Sequence, residues 1–171
     1  MKITASEIIN TLDLSLHPEG GYFKETYRSA GVIPALQRNY ATAIFYLLAN
    51  GDKSHLHRIK QDEIWHFYLG GRLRLCMISP EGEYKEVILG QDILHGELLQ
   101  YVVPAGWWFG AAPAEGTEWS LVSCTVAPGF DFADFEMGNR EKLIAQFSHL
   151  EDFIREFTKE KNNQIYKNQP S

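Results

Sequence analysis

The chain has 171 residues, 44% of them hydrophobic and 13% aromatic, and a formal net charge of −6. That length fits one domain able to bury a sizeable core, and the composition excludes an intrinsically disordered chain. The negative charge leaves no basic face for nucleic acid or for an anionic membrane, and no apolar run approaches membrane-spanning length.

At the N-terminus, MKITASEII lacks the long apolar run of a signal peptide. Thr4-Ala-Ser-Glu7 has the form of a capping box with Ile8, Ile9 and Leu12 following at helical spacing, which predicts a short helix over about residues 4–12. His17-Pro-Glu-Gly-Gly21 is a turn cluster. The strand predicted over Tyr22–Arg28 puts Tyr22, Lys24 and Thr26 on one face and Phe23, Glu25 and Tyr27 on the other.

Strand signals then recur. Ala41–Ala49 is a continuous apolar run, Ser54–Ile59 is short, and Glu63–Met77 is broken by a turn or bulge at Gly70-Gly71. Ser79-Pro-Glu-Gly82 is a hairpin turn before Tyr84–Leu89, and Pro104-Ala-Gly106 follows Gln100–Val103. Trp107–Ala111 and Trp119–Val126 complete the set. Many short strands separated by Gly/Pro turns predict a mainly β sandwich or barrel. Cys76 and Cys124 lie in apolar β-like runs and read as buried free thiols of a reduced compartment, which makes a cytoplasmic location the expectation. From Asn139 to Lys159, apolar residues at spacings of three and four predict two short helices, the second capped by Ser148-His-Leu-Glu151. Those helices need an apolar surface, and the outside of the barrel supplies one. The polar end, NNQIYKNQPS, is expected to fray. The whole of 1–171 is thus one domain, with a core over about 20–135 and helices over about 139–160.

The chemistry concentrates in 51–70, GDKSHLHRIKQDEIWHFYLG. His55 and His57 are two apart and share a face on a regular strand. With Lys60-Gln-Asp62 as a turn, Glu63 opens the next strand, opposite the histidines of an antiparallel pair. Two imidazoles and a carboxylate make a divalent transition-metal site or a metal-free acid–base group centred on His57 and Glu63. His55 is either a ligand or a solvent-facing residue beside a turn. Trp65 and Phe67 follow Glu63 at period two and give the site an aromatic wall, the makeup of a small-molecule pocket. Tyr22, Lys24, Arg58, Trp65, Gln100, Trp108 and Phe109 are the candidate ligand-binding residues. Arg58 either holds an anionic group or is solvated, and the aromatic run Trp107–Phe109 either stacks on a ligand or plugs the barrel end.

Gly51, His55, His57, Glu63 and Gly70 resemble the first cupin motif, and Val103-Pro-Ala-Gly106 resembles the start of the second. HPEGGYF, DEIWHFYLGG, VPAGWWF and TVAPGFDFADF are similar to an uncharacterised branch of the cupin superfamily, over about residues 5–150. The resemblance implies a double-stranded β-helix jelly roll, often a homodimer, and no established activity. In metal-binding cupins a histidine three residues after the second-motif glycine is the fourth ligand, whereas Phe109 stands here. The spacings of the first motif also differ, and the set His55, His57 and Glu63 is what remains for a metal. Three functions are therefore expected to compete. The first is a metal-free isomerase- or epimerase-like enzyme acting on a sugar or sugar nucleotide, by fold-level analogy with cupin epimerases. The second is a metal-dependent oxygenase or isomerase, and the third a non-catalytic small-ligand binding module.

Overall fold

The computed structural model describes residues 3–160, and the polar segment expected to fray lies outside them. The first helix, α1 (Ala5–Leu12), starts as its sequence dictates: Thr4 Oγ1 accepts from the Glu7 amide (3.3 Å) and the Glu7 carboxylate accepts from the Thr4 amide (2.8 Å). Thirteen strands follow among the described residues. They are β1 (Ser15–Leu16), β2 (Tyr22–Arg28), β3 (Val32–Ile33), β4 (Arg38–Asn39), β5 (Thr42–Ala49), β6 (Ser54–Arg58), β7 (Asp62–Gly70), β8 (Leu73–Ile78), β9 (Tyr84–Leu89), β10 (Gln100–Val103), β11 (Trp108–Pro113), β12 (Trp119–Ala127) and β13 (Glu136–Met137). The helices α2 (Arg140–Gln146) and α3 (Glu151–Glu156) close the described chain.

Two antiparallel sheets carry the fold. One runs β1-β2-β5-β12-β7-β10 and the other β13-β6-β11-β8-β9, while β3 and β4 form a separate small ribbon. The sheets face each other as a jelly roll around a core that includes Tyr46, Trp65, Phe67, Met77, Phe109 and Val122. Period-two patterning decides which side chains enter it: on β7, Glu63, Trp65 and Phe67 are buried while Ile64 and His66 are half-buried on the other face. The outer face of the second sheet is apolar as well, because α2 and α3 cover it. Leu56, Cys76, Ile78 and Trp108 pack there against Leu143, Phe147, Ile154 and Phe157. Full burial of such side chains contributes about 1.5–3 kcal/mol each.

Three local expectations change. First, β6 and β7 are not partners. The link at 59–61 crosses between sheets, so Glu63 approaches His57 through the barrel interior and not along a ladder. Second, β6 is irregular: His57 pairs with Phe109 and Ser54 with Ala111, three steps on one strand against two on the other. Such a bulge breaks the alternation. Phe109 and Ala111 both face the inner core, so Ser54 and His57 face inward with them, and His55 is turned out of phase. Third, the capping chemistry of the C-terminal helices sits at Asn139, whose side chain accepts from the Lys142 amide (3.0 Å). Ser148–Leu150 forms a single 3₁₀ turn with no side-chain cap, so the expected box at Ser148–Glu151 is absent. Among the described residues, no helix is long and apolar enough to cross a membrane.

Candidate functional site

The site is assembled by the His17–Gly21 turn and the start of β6. Gly20 makes the approach possible: its φ is +114°, and a Cβ there would stand 2.0 Å from the Lys53 carbonyl oxygen. The Glu19 carbonyl then accepts from the His55 amide (2.9 Å) and from His55 Nδ1 (2.6 Å). The Glu19 side chain is carried inward, where Oε1 accepts from Ser54 Oγ (2.9 Å) and Oε2 lies 2.9 Å from His57 Nε2. Both acidic and imidazole groups are buried, at 5% and 2% exposure. Tyr46 closes the turn from below, donating its hydroxyl to the Gly20 carbonyl (2.6 Å).

The partners fix the protonation of His57. Its Nδ1 faces the His55 carbonyl oxygen at 2.7 Å, which only accepts, so Nδ1 carries a proton. Nε2 faces a carboxylate and carries the other. Burial works against an imidazolium here, but the Glu19 charge and hydrogen bond, helped by the Glu63 charge, outweigh it and raise the pKa of His57. For Glu19, burial pushes upward and is overcome by the His57 charge and hydrogen bond, by His17 and by Ser54, so its pKa falls well below the ordinary carboxylate range. The pair is a buried salt with no imidazole nitrogen left over.

Beside this pair opens a cavity of about 280 Å³. Glu63 and Cys124 line its floor, Phe23, Ile44 and His17 its sides, and Phe130, Phe132 and Phe135 its outer wall. Glu63 is 8% exposed, and its pKa is pushed up to about 7: burial dominates, the His57 charge opposes it, and the Glu19 charge adds to it. The Cys124 thiol lines the cavity beside this carboxyl, and burial raises its pKa. His17 is different again. Its Nδ1 accepts from the Glu19 amide (3.2 Å), which places the proton on Nε2 of a neutral ring. Burial lowers the pKa of His17, with the nearby His57 charge reinforcing it against Glu19. The outer wall is strapped down by Asp134, whose carboxylate accepts from Arg38 (Nε 2.7 Å), Gln61 (2.8 Å) and Lys60 (3.3 Å).

Of the residues singled out in the sequence, His57 and Glu63 line this cavity. Trp65 and Phe109 are buried in the inner core next to it, and the Phe109 ring lies 4.1 Å from that of His57. The others are elsewhere. Tyr22 packs under α1 and Lys24 is exposed beside Asp13 (3.2 Å), while Phe23 and Glu25 from the opposite face of β2 line the cavity. Gln100 is exposed on the outer face near His66 (3.3 Å). Trp108 packs outward under the C-terminal helices, with the Arg58 guanidinium 4.5 Å above its ring and bonded to Glu136 (2.8 Å). Sequence reading missed Glu19, His17 and the three phenylalanines. The one signal was a charged residue between Pro18 and two glycines, where a turn alone needs no carboxylate.

The set His55, His57 and Glu63 does not fit a metal. His57 spends both nitrogens, His55 is out of phase with it on the bulged strand, and the fourth position is the phenyl ring of Phe109. Among the described residues no group of three or more His, Cys, Asp or Glu is disposed to hold an ion.

Comparison with known proteins places these features in a wider set. The family model described as "Cupin superfamily (DUF985)" matches residues 6–138. The uncharacterized protein YML079W of Saccharomyces cerevisiae is 33% identical over 144 residues, 75% of this chain and 72% of the yeast protein. A hypothetical protein from Leishmania major superposes with a TM-score of 0.88 at 36% identity, covering 92% of this chain and 100% of that one. Protein SO0799 from Shewanella oneidensis does so with a TM-score of 0.87 at 38% identity, covering 92% and 99%.

Proposed function

The chain belongs to the cupin superfamily (DUF985), and from that premise we propose that it is a metal-free isomerase- or epimerase-like enzyme whose proton-transfer group is Glu63. The observation that carries this reading is a buried carboxyl with a pKa near 7 on the floor of an aromatic cavity. A group poised there gives and takes protons at neutral pH. Glu63 removes a proton from carbon next to a substrate carbonyl. The neutral His17 ring donates its Nε2 proton in a hydrogen bond to the oxygen where charge develops. Return of the proton from Glu63, on the same face, to the neighbouring carbon gives the isomer and needs no co-reactant. His57 does not touch the substrate in this scheme, since both nitrogens are engaged. It is a positioning residue that fixes Glu19 and places a positive charge near Glu63. The cavity volume falls just below the roughly 300–1,000 Å³ of ligand pockets, which suits a monosaccharide-sized molecule better than an entire sugar nucleotide.

The test needs no prior substrate. A panel of keto-sugars and small carbonyl compounds is incubated with the protein in D₂O, and loss of protons next to the carbonyl is followed by NMR. Exchange with at least one member is expected, reduced about 100-fold or more in Glu63→Gln. Equal exchange in the variant, or none with any compound, overturns the reading.

The same reading includes a homodimer. β1 pairs with β2 only at Tyr22 and Phe23, which leaves exposed residues 24–28 as an open edge for a second copy. Sedimentation at micromolar concentration is expected to give twice the chain mass; a monomer refutes it.

A further inference from the structure

Charge and ring geometry in the cavity narrow what it accepts. His57 and Glu19 cancel as a buried salt. Arg28 and Glu25, at the mouth, cancel as a bidentate pair, with Nε and NH2 of the guanidinium each 2.8 Å from a carboxylate oxygen. Arg28 is committed further to the Phe130 carbonyl (3.1 Å) and to Asn39 (2.9 Å). Among the lining residues, Asp131 and, when ionised, Glu63 are negative and make no close ion pair, although Arg28 and Arg38 act on the first and His57 on the second at longer range. An anionic ligand therefore meets only cations already engaged by carboxylates, and two further carboxylates oppose it.

The outer wall adds a second, independent feature. Phe130, Phe132 and Phe135 stand at 72–80° to one another, with centroids 5.0, 5.7 and 6.2 Å apart. Three mutually near-perpendicular rings form the corner of a box, closed on a fourth side by His17, 6.3 Å from both Phe132 and Phe135. Phenyl faces carry negative quadrupole potential, and a corner of them beside carboxylates is an environment for a positive, weakly hydrated group.

We propose that the cavity selects a small carbonyl compound that also carries a positive charge, an amine or quaternary ammonium group, over neutral and anionic molecules of the same shape. The inference rests on the reading that this cavity is the substrate site and specifies the substrate class. The net charge of −6 acts in the same direction at longer range, drawing cations to the protein.

Three probes that share a trimethyl-substituted head group test it on the full chain by NMR titration at neutral pH: choline, its uncharged carbon isostere 3,3-dimethylbutan-1-ol, and the shorter anion pivalate. Choline is expected to bind at least about tenfold more tightly than the alcohol, with pivalate weakest. Phe132→Leu removes one ring from the wall but keeps an apolar side chain, and Phe132 is 54% exposed, so folding is not at stake. This variant is expected to lose most of the choline preference while binding the alcohol nearly as before. Equal binding of choline and the alcohol, tighter binding of pivalate, no binding of all three, or an unchanged preference in Phe132→Leu overturns the proposal. Proton exchange that depends on Glu63 is measured separately and stands or falls by itself.

Discussion

Glu63 and Glu19 are two buried carboxyls a few side chains apart that ionise in opposite senses. Glu19 is held ionised by the Nε2 proton and charge of His57 and by Ser54, whereas Glu63 is dominated by burial. This asymmetry has a thermodynamic signature. The folded-state pKa of Glu63, about 7, lies above the ordinary 4.5. Below pH 4.5 the acid is protonated in both states and its contribution to stability is fully present. Between about 4.5 and 7 the unfolded chain ionises while the fold holds its proton, so stability is lost as pH rises, by about 3 kcal/mol at most. Glu63→Gln keeps the neutral shape and removes this slope. Urea unfolding of both proteins from pH 4.5 to 8 should show the variant gaining on the wild type as pH rises; parallel curves would sink the assignment. Glu63 was legible in the sequence because a carboxylate stood at an inward position of an otherwise aromatic strand. Glu19 was not, since the turn that contains it has no periodicity to say which way a side chain points.

At the scale of elements, the site depends on how tightly one turn docks on one strand. Gly20 and Gly51 both have positive φ, but a Cβ on Gly20 would run into the Lys53 carbonyl at 2.0 Å, and one on Gly51 meets nothing within 4 Å. Gly51→Ala should therefore cost about 1 kcal/mol, the backbone penalty alone. Gly20→Ala should cost roughly 2–4 kcal/mol, because the turn must also retreat from β6. Denaturant titration separates the two, and equal losses would show that close docking is not what Gly20 provides. Strand positions were readable from alternation and turn residues; the partner of each strand was not. β6 and β7 are joined by a short link that has the length of a hairpin connection, yet they belong to different sheets. Pairing is decided by long-range burial, which local patterning does not encode. That is why Glu63 was expected across a ladder and stands across the barrel interior.

Over the whole molecule, the mainly β jelly roll and its flanking helices were legible because both signals are redundant: many short strands with Gly/Pro punctuation, then apolar residues at spacings of three and four. The helices do more than flank. Ile154 and Phe157 are fully buried against Leu56 and Cys76, so the second sheet has an apolar layer on each face. Trp108 was expected either to stack on a ligand or to plug the barrel end, but it belongs to this outer layer. A large aromatic side chain gives the same letter whether it walls a cavity or lies beneath a helix, and only the position of α2 and α3 distinguishes the two.

The bulge in β6 also changes what can be counted from the primary structure. His55 and His57 are an even number of residues apart, the signature of a shared face. One extra position in the ladder dissolves that kinship, and the imidazoles part company: one clamps a peptide oxygen, the other neutralises an acid. Donor inventories made letter by letter therefore overstate the coordinating capacity of this chain. Across relatives, the quantity to compare is the parity of the strand between Ser54 and His57, since it decides which side chains of this stretch face the interior.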